Sequence, residues 1–395
     1  MTSTMAPVEK PYLQLTLDTL ADRLSLNDPS TPQACDKRVF QPKGYPKQCI
    51  IDGEIWPAVF EPEKVRSAKK LKVRDDDVFV CTYPKCGTTW VQHICAQLME
   101  KFYDEGQVSE LSFTSPMIEK MGAEYCDKLE SPRLLKTHFN YHNTPKSKKA
   151  KYIFVGRNPK DCVTSYYHHN LAFKLYNWAD GDFNTFVELF CTGQLAFGDY
   201  FDHLYSWMPH VNDENVLFVT YEQMSTDLRA QVVRIGNFLG GRAKEMVEDD
   251  EILSNIVDDS YIDSMRKKQH RYFPQGSLNL PFFRRGGVRN WTNYLNARQS
   301  NQISCIWRAR FLGTEALNWW RDEICWDPDA PDALADTPDI VVTADEEEFD
   351  SEELCSVSRR VSCFLSPDFI PERRLSVMSS GFGSVWSLAV QQAVV

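Results

Sequence analysis

Short apolar runs and helical repeats of apolar residues alternate along the middle of the chain. Four runs rich in apolar, β-branched and aromatic residues predict buried strands. These runs are Val78–Tyr83, Arg133–Thr137, Tyr152–Gly156 and Asn215–Thr220. Apolar residues recurring at helical spacing predict helices. The predicted helices are Thr88–Phe102, Asp161–Phe173, Asn184–Cys191, Tyr200–Trp207, Thr226–Leu239, Lys244–Asn255 and Ala297–Leu312. Because strands that alternate with helices form parallel sheets, this order predicts a single α/β domain, with a central parallel β-sheet flanked by helices.

The alternating pattern covers residues 45–326, and the segments on either side differ from it in composition. Residues 1–44 are mixed and rich in Pro, Ser and Thr, which predicts a loosely ordered lead-in. Residues 327–395 begin with a Pro- and Asp-rich stretch and end in a Ser-, Gly- and Val-rich one. Because such a segment can bury little apolar surface, we expect a disordered C-terminal tail.

The net charge of -11 comes almost entirely from ten acids at 331–355, a block without Lys or Arg, so the remainder is nearly neutral. Without a broad basic region, the composition does not favour a nucleic-acid partner. The 12 cysteines have no C-x-x-C spacing, and the histidines show no zinc-ligand spacing. The sequence shows neither a signal peptide nor an apolar run of about 18 residues. We expect reduced thiols in a cytoplasmic protein, with no metal and no membrane insertion.

The most informative segment is residues 81–90, CTYPKCGTTW, which lies between a predicted strand and a predicted helix. The N-terminus of a helix offers unpaired backbone N–H groups and a positive dipole end, and both favour an anion. Gly87 allows the backbone to approach the anion, and Thr88 and Thr89 add hydroxyl donors. Lys85 adds a positive charge, but it precedes the glycine, whereas the Walker A lysine follows it. The segment predicts a phosphate-binding loop, with an ordinary strand–turn–helix connection as the alternative.

Two further segments place arginines beside turns. Arg157 follows the predicted strand Tyr152–Gly156, and Ser165 in the next helix can reach the same anion. Arg284 and Arg285 precede two glycines, which describes a cationic loop able to close over a phosphate. The alternatives are an arginine paired with a carboxylate and a solvated surface loop.

Lys136 and His138 lie at the end of the predicted strand Arg133–Thr137, where α/β folds gather their ligands. A lone histidine is most often structural. This one lies beside two predicted anion sites, so we interpret it as a general base.

In their order and spacing, these four segments resemble the cytosolic sulfotransferase family over residues 45–326. The resemblance implies transfer of a sulfuryl group from PAPS (3'-phosphoadenosine 5'-phosphosulfate), without a metal, to a small molecule. The acceptor group would be a hydroxyl (phenol, alcohol or sterol-like) or an amine. By the same resemblance, His138 is the catalytic base, Lys136 its companion and Lys85 the residue that stabilises the leaving group.

The resemblance also implies a set of nucleotide contacts. Those at the 5'-phosphosulfate and the adenine are Lys85, Cys86, Gly87, Thr88, Thr89 and Trp90. Those at the 3'-phosphate are Arg157, Ser165, Arg284, Arg285 and Gly286, and further nucleotide contacts are Tyr221, Ser260 and Tyr261. Residues 115–119 resemble the segment that lines the acceptor pocket.

The chain departs from the family pattern at three places. Cys86 stands where the family has Ser, Thr or Ala. Its backbone N–H can still contribute to the anion-binding loop. A thiol at a helix N-terminus beside Lys85 predicts a lowered thiol pKa and sensitivity to oxidation. Arg289 and Asn290 replace a Gly-Asp pair, which predicts either an added phosphate contact or a stiffened loop. The family's dimer motif is replaced by Thr292, Asn296, Ala297 and Asn301. We therefore do not expect the usual dimer, and the oligomeric state stays open.

Two other functions compete with this interpretation. A nucleotide kinase-like phosphoryl transferase would also bind phosphates, but the position of Lys85 and the missing GK[ST] disfavour it. A catalytically weak PAPS- or PAP-binding protein of the same fold would use its tail for partners, although the predicted catalytic residues are all present. In the tail, Ser351, Ser362 and Ser376 lie beside acids or arginine pairs, which predicts kinase substrates; an unmodified tail is the alternative.

Overall fold

The computed structural model of the protein describes residues 37–101, 110–272, 277–280 and 287–325. The predicted tail and most of the predicted lead-in lie outside these residues. The chain divides into two compact units. The larger comprises Gln33–Trp307 and Gly313–Thr337 and contains the sheets and the site below. The other comprises Met1–Pro32, Arg308–Leu312 and Pro338–Val395, of which only 308–312 are described.

A small antiparallel sheet that the sequence analysis did not anticipate opens the described chain. Its strands are β1 (Arg38–Phe40), β2 (Gln48–Ile51) and β3 (Glu54–Pro57), in the order β1-β2-β3. The turn between β2 and β3 is Asp52-Gly53, and both residues have positive φ (52° and 79°), as a two-residue hairpin loop requires. Strand β1 lies within the predicted lead-in.

The central sheet confirms the predicted parallel architecture. Its strands are β4 (Val78–Thr82), β5 (Leu134–Thr137), β6 (Lys151–Gly156) and β7 (Val216–Thr220). The order is β5-β4-β6-β7, and every pair is parallel. All five residues of β4 are buried, as expected for a central strand covered on both faces.

A buried ion pair holds the N-terminal ends of β4 and β5 together. The Arg133 guanidinium donates to both carboxylate oxygens of Asp77, at 2.7 and 2.6 Å, and both side chains are fully buried. Beyond this pair, Cys81 lies opposite Thr137. The next residues, Thr82 at the end of β4 and His138 directly after β5, therefore lie side by side.

Helices cover the central sheet. Their bounds are α1 (Pro62–Ala68), α2 (Thr88–Leu98), α3 (Glu110–Thr114), α4 (Ile118–Met121), α5 (Ala123–Asp127), α6 (Pro159–Ala172), α7 (Phe183–Cys191), α8 (Tyr200–Trp207), α9 (Tyr221–Thr226), α10 (Leu228–Leu239), α11 (Gly241–Glu248), α12 (Asp250–Ser260), α13 (Ile262–Lys267), α14 (Ala297–Phe311) and α15 (Arg321–Ile324). Short 3-10 helices lie at Lys174–Tyr176, Met208–His210, Gln269–Arg271, Asn290–Asn293 and Glu315–Asn318. None of the helices within the described ranges is both long and apolar enough to cross a membrane.

Local capping explains where the predicted helices differ from the observed ones. The single helix predicted over Lys244–Asn255 is wrong, because Asp249 is extended (φ -87°, ψ 116°) and separates α11 from α12. Its carboxylate accepts from the backbone N–H groups of Glu251 and Ile252, both at 3.0 Å, and so begins a new helix. Helix α6 begins at Pro159, earlier than predicted, because the Asn158 side chain caps it.

Candidate active site

A cavity of about 520 Å³ lies at the carboxyl ends of β4, β5 and β6. The predicted phosphate-binding loop, the candidate base and the residues after β6 line it together. The predicted site residues in its lining are Lys85, Gly87, Thr88, Thr89, Trp90, Lys136, His138, Arg157, Ser165 and Tyr221. The structure therefore brings most of the predicted site residues into one cavity.

The loop between β4 and α2 has the backbone that an anion-binding loop needs. Lys85 and Gly87 both have positive φ, 71° and 105°. A Cβ atom on Gly87 would lie 3.3 Å from the ring of Tyr221 and 3.8 Å from the side chain of Val155. Glycine is therefore required here both for the backbone angle and for the close approach of its neighbours.

A chain of hydrogen bonds connects this loop to His138. The hydroxyl groups of Thr82 and Thr88 lie 2.6 Å apart, and the Thr82 hydroxyl lies 3.2 Å from Nδ1 of His138. The same Nδ1 atom lies 2.8 Å from the backbone carbonyl oxygen of Thr82. Because a carbonyl oxygen can only accept, Nδ1 carries the ring proton, and the lone pair is on Nε2.

The surroundings of His138 keep its ring neutral. The side chain is only 8% exposed and packs edge-on against Phe197, with ring centroids 4.9 Å apart. Burial, together with the positive charge of Lys136, lowers the pKa of His138 to about 3. Burial also lowers the pKa of Lys136, to about 8, although the carboxyl group of Glu119 opposes this change. A neutral imidazole at neutral pH is what a general base requires.

Glu119 also belongs to the site. From the sequence it was predicted only as part of residues 115–119, the segment that resembles the lining of the acceptor pocket and is called the acceptor segment below. Its Oε1 atom accepts from the backbone N–H of His138 at 2.5 Å, and the residue is fully buried. Burial raises the pKa of Glu119 to about 7. The backbone N–H of Lys136 also donates to the carbonyl of Pro116, at 3.0 Å. The acceptor segment is thus bonded directly to the strand end that carries Lys136 and His138.

Arg157 connects the predicted phosphate-binding loop to the segment after residue 286. Its guanidinium donates to the carbonyl of Lys85 at 3.1 Å and to that of Gly287 at 3.3 Å. It also lies over the ring of Tyr221, 3.8 Å from the centroid. The residue is 6% exposed, and its Nε atom has no hydrogen-bond partner among the residues described. A guanidinium has five N–H donors, so donors remain for an anion in the cavity.

The aromatic pair beyond Arg157 is formed by Trp90 and Tyr221, whose ring centroids are 5.4 Å apart. A capping box of Thr220 and Gln223 begins α9 and places Tyr221 there. The Trp90 indole N–H donates to the carbonyl of Ser260 at 2.7 Å.

The other two predicted nucleotide contacts of this region are not among the described residues that line the cavity. Ser260 is fully buried, and its hydroxyl accepts from the side-chain amide of Gln97 at 3.0 Å. Tyr261 is 51% exposed.

The expectation of a lowered pKa for Cys86 is wrong. The thiol is 1% exposed, and burial raises its pKa well above the ordinary value. Its sulfur lies 3.9 Å from that of Cys162, and its backbone N–H donates to the carbonyl of Tyr83 at 3.3 Å. Burial therefore outweighs the helix N-terminus on which the expectation rested.

The predicted closing loop is only partly described, because Arg284, Arg285 and Gly286 lie outside the described residues. Arg289 has φ 63°, the left-handed backbone that glycine adopts most readily. Its guanidinium donates to the carbonyl of Asp322 at 2.5 Å. The Asp161 carboxylate accepts from the backbone N–H groups of Arg289 and Trp291, at 2.7 and 2.9 Å. Asp161 thus fixes this segment to the N-terminus of α6.

Comparison with known proteins identifies the family of this chain. The family model for the sulfotransferase domain matches residues 75–315. Sulfotransferase 2B1 of Mus musculus is 32% identical over 291 residues, which is 69% of this chain and 82% of the relative. The amine sulfotransferase of Oryctolagus cuniculus is 33% identical over 264 residues, 60% of this chain and 81% of the relative. The crystal structure of mouse sulfotransferase SULT7A1 complexed with PAP aligns with TM-score 0.56 and 26% identity, covering 67% of this chain and 94% of that one. Since the family model spans more than half of the sequence, the chain belongs to the sulfotransferase family.

Proposed function

We propose that this sulfotransferase moves the sulfuryl group of PAPS to a hydroxyl or amine group of a small molecule, with His138 as the general base. The observation that carries the proposal is the hydrogen bond from His138 Nδ1 to the Thr82 carbonyl. It leaves the Nε2 lone pair of a neutral ring in the cavity that the phosphate-binding loop also lines.

The donor end of the cavity fits the charge of PAPS. Lys85 and Arg157 supply two cations there, and the N-terminus of α2 adds its positive dipole end. In this proposal Lys85, Thr88 and Thr89 hold the 5'-phosphosulfate, while Arg157 and Ser165 hold the 3'-phosphate. Trp90 and Tyr221 border the space for the adenine. The PAP complex of SULT7A1 supports a nucleotide of this kind. When bound, PAPS supplies the sulfuryl group that is transferred.

The proton leaves the acceptor through His138. Nε2 takes the hydroxyl proton while Nδ1–H continues to donate to the Thr82 carbonyl, so the ring need not reorient during the step. Lys85 and the N-terminus of α2 stabilise the negative charge that develops on the leaving phosphate group. The charge of Lys136 lowers the affinity of the His138 ring for a proton, and so favours release of that proton after turnover.

The test is turnover of PAPS with a panel of phenols, alcohols, sterols and amines. We expect His138→Ala to lower kcat by about 100-fold or more, since positioned acid–base groups contribute roughly 10²–10⁴. Its affinity for PAP, measured by calorimetry, should stay within a factor of about three. His210→Ala is the matched control, because His210 pairs with Asp213 at 2.9 Å and is part of neither the loop nor the base.

Two outcomes would contradict the proposal. Unchanged turnover in His138→Ala would remove the residue from the role of base. PAP binding without turnover of any acceptor in the wild type would favour the alternative, a catalytically weak nucleotide-binding protein.

A further inference from the structure

The charges that line the cavity are unbalanced. Among its described lining residues are four cations and two histidines, and no Asp or Glu. Burial lowers the pKa of both histidines, His138 and His169, so neither is charged at neutral pH. Two of the cations, Lys85 and Arg157, face the proposed donor. This leaves Lys136 and Lys120 on the acceptor side.

Of these two lysines, only Lys136 has a carboxyl group to balance its charge. That group belongs to Glu119, which acts on Lys136 electrostatically. Lys120, by contrast, has no carboxylate within ion-pair distance among the residues that the structure describes, and its side chain is exposed at the cavity. The charged groups that act on it electrostatically are cations, Lys64 and Lys136.

Lys120 directly follows the acceptor segment, residues 115–119. It lies on α4, directly after Glu119, whose carboxylate accepts the backbone N–H of His138. Its charge acts on Lys136, and Lys136 acts on His138. The charge of Lys64 also acts on Lys120, but Lys64 is already paired with Glu61 at 3.0 Å. Lys120 is thus near enough to Lys136 for their charges to interact, and Lys136 is likewise near His138.

Around Lys120 the acceptor side is apolar. Met117 and Met121, close to it along the chain, line the cavity with it, and so do Phe113 and Phe197. Partial burial and the like charge of Lys64 lower the pKa of its ammonium group. An anion beside that group would balance its charge, and an apolar body would fit the surrounding methionines and aromatic rings.

We propose that Lys120 binds an anionic group of the acceptor, so that the preferred acceptors are apolar hydroxylated molecules with a carboxylate at the end remote from the reacting hydroxyl. This inference rests on the proposed function, because it assigns the acceptor of the same reaction.

The experiment uses the full chain and matched pairs of acceptors. A series of 4-hydroxyphenylalkanoates of increasing chain length is compared with the primary amides of the same acids, which have nearly the same shape but no charge. For each pair we measure kcat/KM with PAPS, and the Kd in the presence of PAP by calorimetry. The variants are Lys120→Met, Lys120→Arg and, as control, Lys64→Met.

We expect the wild type to prefer the best acid over its amide by about ten-fold, as one charge-assisted hydrogen bond provides. Lys120→Met should abolish this preference, and Lys120→Arg should keep it. Lys64→Met removes the same charge from a lysine already paired with Glu61, and should keep it too. The preference should also decrease with added salt.

An equal Kd for acid and amide in the wild type, or a preference that survives in Lys120→Met, would overturn the inference. Turnover of the neutral phenol 2-naphthol separates this result from failure of the proposed function. If 2-naphthol and every other acceptor stay unreacted, the sulfuryl transfer itself is refuted, and the calorimetric comparison still decides whether Lys120 selects an anion.

Discussion

The Nδ1 atom of His138 lies 2.8 Å from the backbone carbonyl oxygen of Thr82. Thr82 ends β4 and His138 directly follows β5, and the register that sets Cys81 opposite Thr137 also sets them side by side. Since the hydrogen-bond acceptor is a backbone oxygen, no single side-chain substitution at Thr82 removes it. The pairing of two strands therefore determines which nitrogen of the histidine keeps its lone pair.

The first prediction concerns the pH dependence of turnover. Because the pKa of His138 is about 3, the base stays neutral throughout the range in which an ordinary histidine becomes protonated. With an alcohol acceptor that does not ionise in this range, we expect kcat/KM, which reports the groups of the free enzyme, to show no protonation of His138 between pH 7 and pH 5. Steady-state rates in a constant-ionic-strength buffer measure this. A decrease with an apparent pKa near 6.5 that persists in Glu119→Gln, which removes the neighbouring carboxyl group of pKa about 7, would show that the ring is not shielded in this way.

The second prediction concerns stability and the same group. Below about pH 6.5 the unfolded chain protonates this histidine, whereas the folded protein does not until its pKa of about 3 is reached. The unfolded state therefore binds more protons, and the folded state loses stability as the pH falls through this window. We expect the free energy of unfolding to fall, relative to His138→Gln, by on the order of 1 kcal/mol per pH unit. Urea denaturation at pH 7, 6 and 5 measures it, and parallel curves for the two proteins would contradict it.

The third prediction concerns Gly87. An alanine there must keep φ at 105° with its Cβ 3.3 Å from Tyr221, so we expect a loss of roughly 1–3 kcal/mol in stability and weaker PAP binding. Gly53→Ala is the control, since its φ is 79° but nothing lies within 4 Å of the added Cβ. That variant should lose stability and keep the affinity for PAP. Equal affinities in the two variants would show that the Gly87 turn does not shape the site.

The fourth prediction concerns the cysteines. Cys86 is buried and its pKa is raised, whereas Cys305 is exposed. Since only the thiolate reacts readily, iodoacetamide on the folded protein should label Cys305 and leave Cys86 unmodified. Peptide mass spectrometry locates the label, and the denatured protein serves as the control for reactivity of both sites. Rapid labelling of Cys86 in the folded protein would restore the expectation of a reactive thiol.

The sequence predicted the four central strands and the loop that holds Lys85 and Gly87, because buried runs and turn glycines are local signals. It did not predict β1–β3, although Asp52-Gly53 is a recognisable hairpin signal. The pKa of Cys86 could not be predicted, since burial depends on which residues pack around the sulfur. The contact of Glu119 with His138 joins residues from different elements, and no spacing in the sequence indicates it. Nor does any spacing indicate that Lys136 has a carboxyl group to balance its charge, whereas Lys120 has none within ion-pair distance among the described residues.

The last prediction concerns Arg157, whose guanidinium bonds to the carbonyls of both Lys85 and Gly287 and lies over Tyr221. Arg157→Lys keeps the charge but loses the forked geometry, so the two segments lose a shared donor and an anion loses a directed one. We expect the Kd for PAP to rise by about ten-fold to a hundred-fold, since hydrogen bonds to charged groups contribute roughly 1.5–3 kcal/mol. At saturating PAPS, kcat should change much less, because His138 is untouched. Calorimetry and steady-state kinetics measure the two quantities.

Arg234→Lys is the control, because Arg234 also donates to a backbone carbonyl, that of Phe218 at 3.1 Å, but is not among the described residues that line the cavity. An unchanged Kd in Arg157→Lys would mean that charge alone, without the fork, is sufficient for the nucleotide.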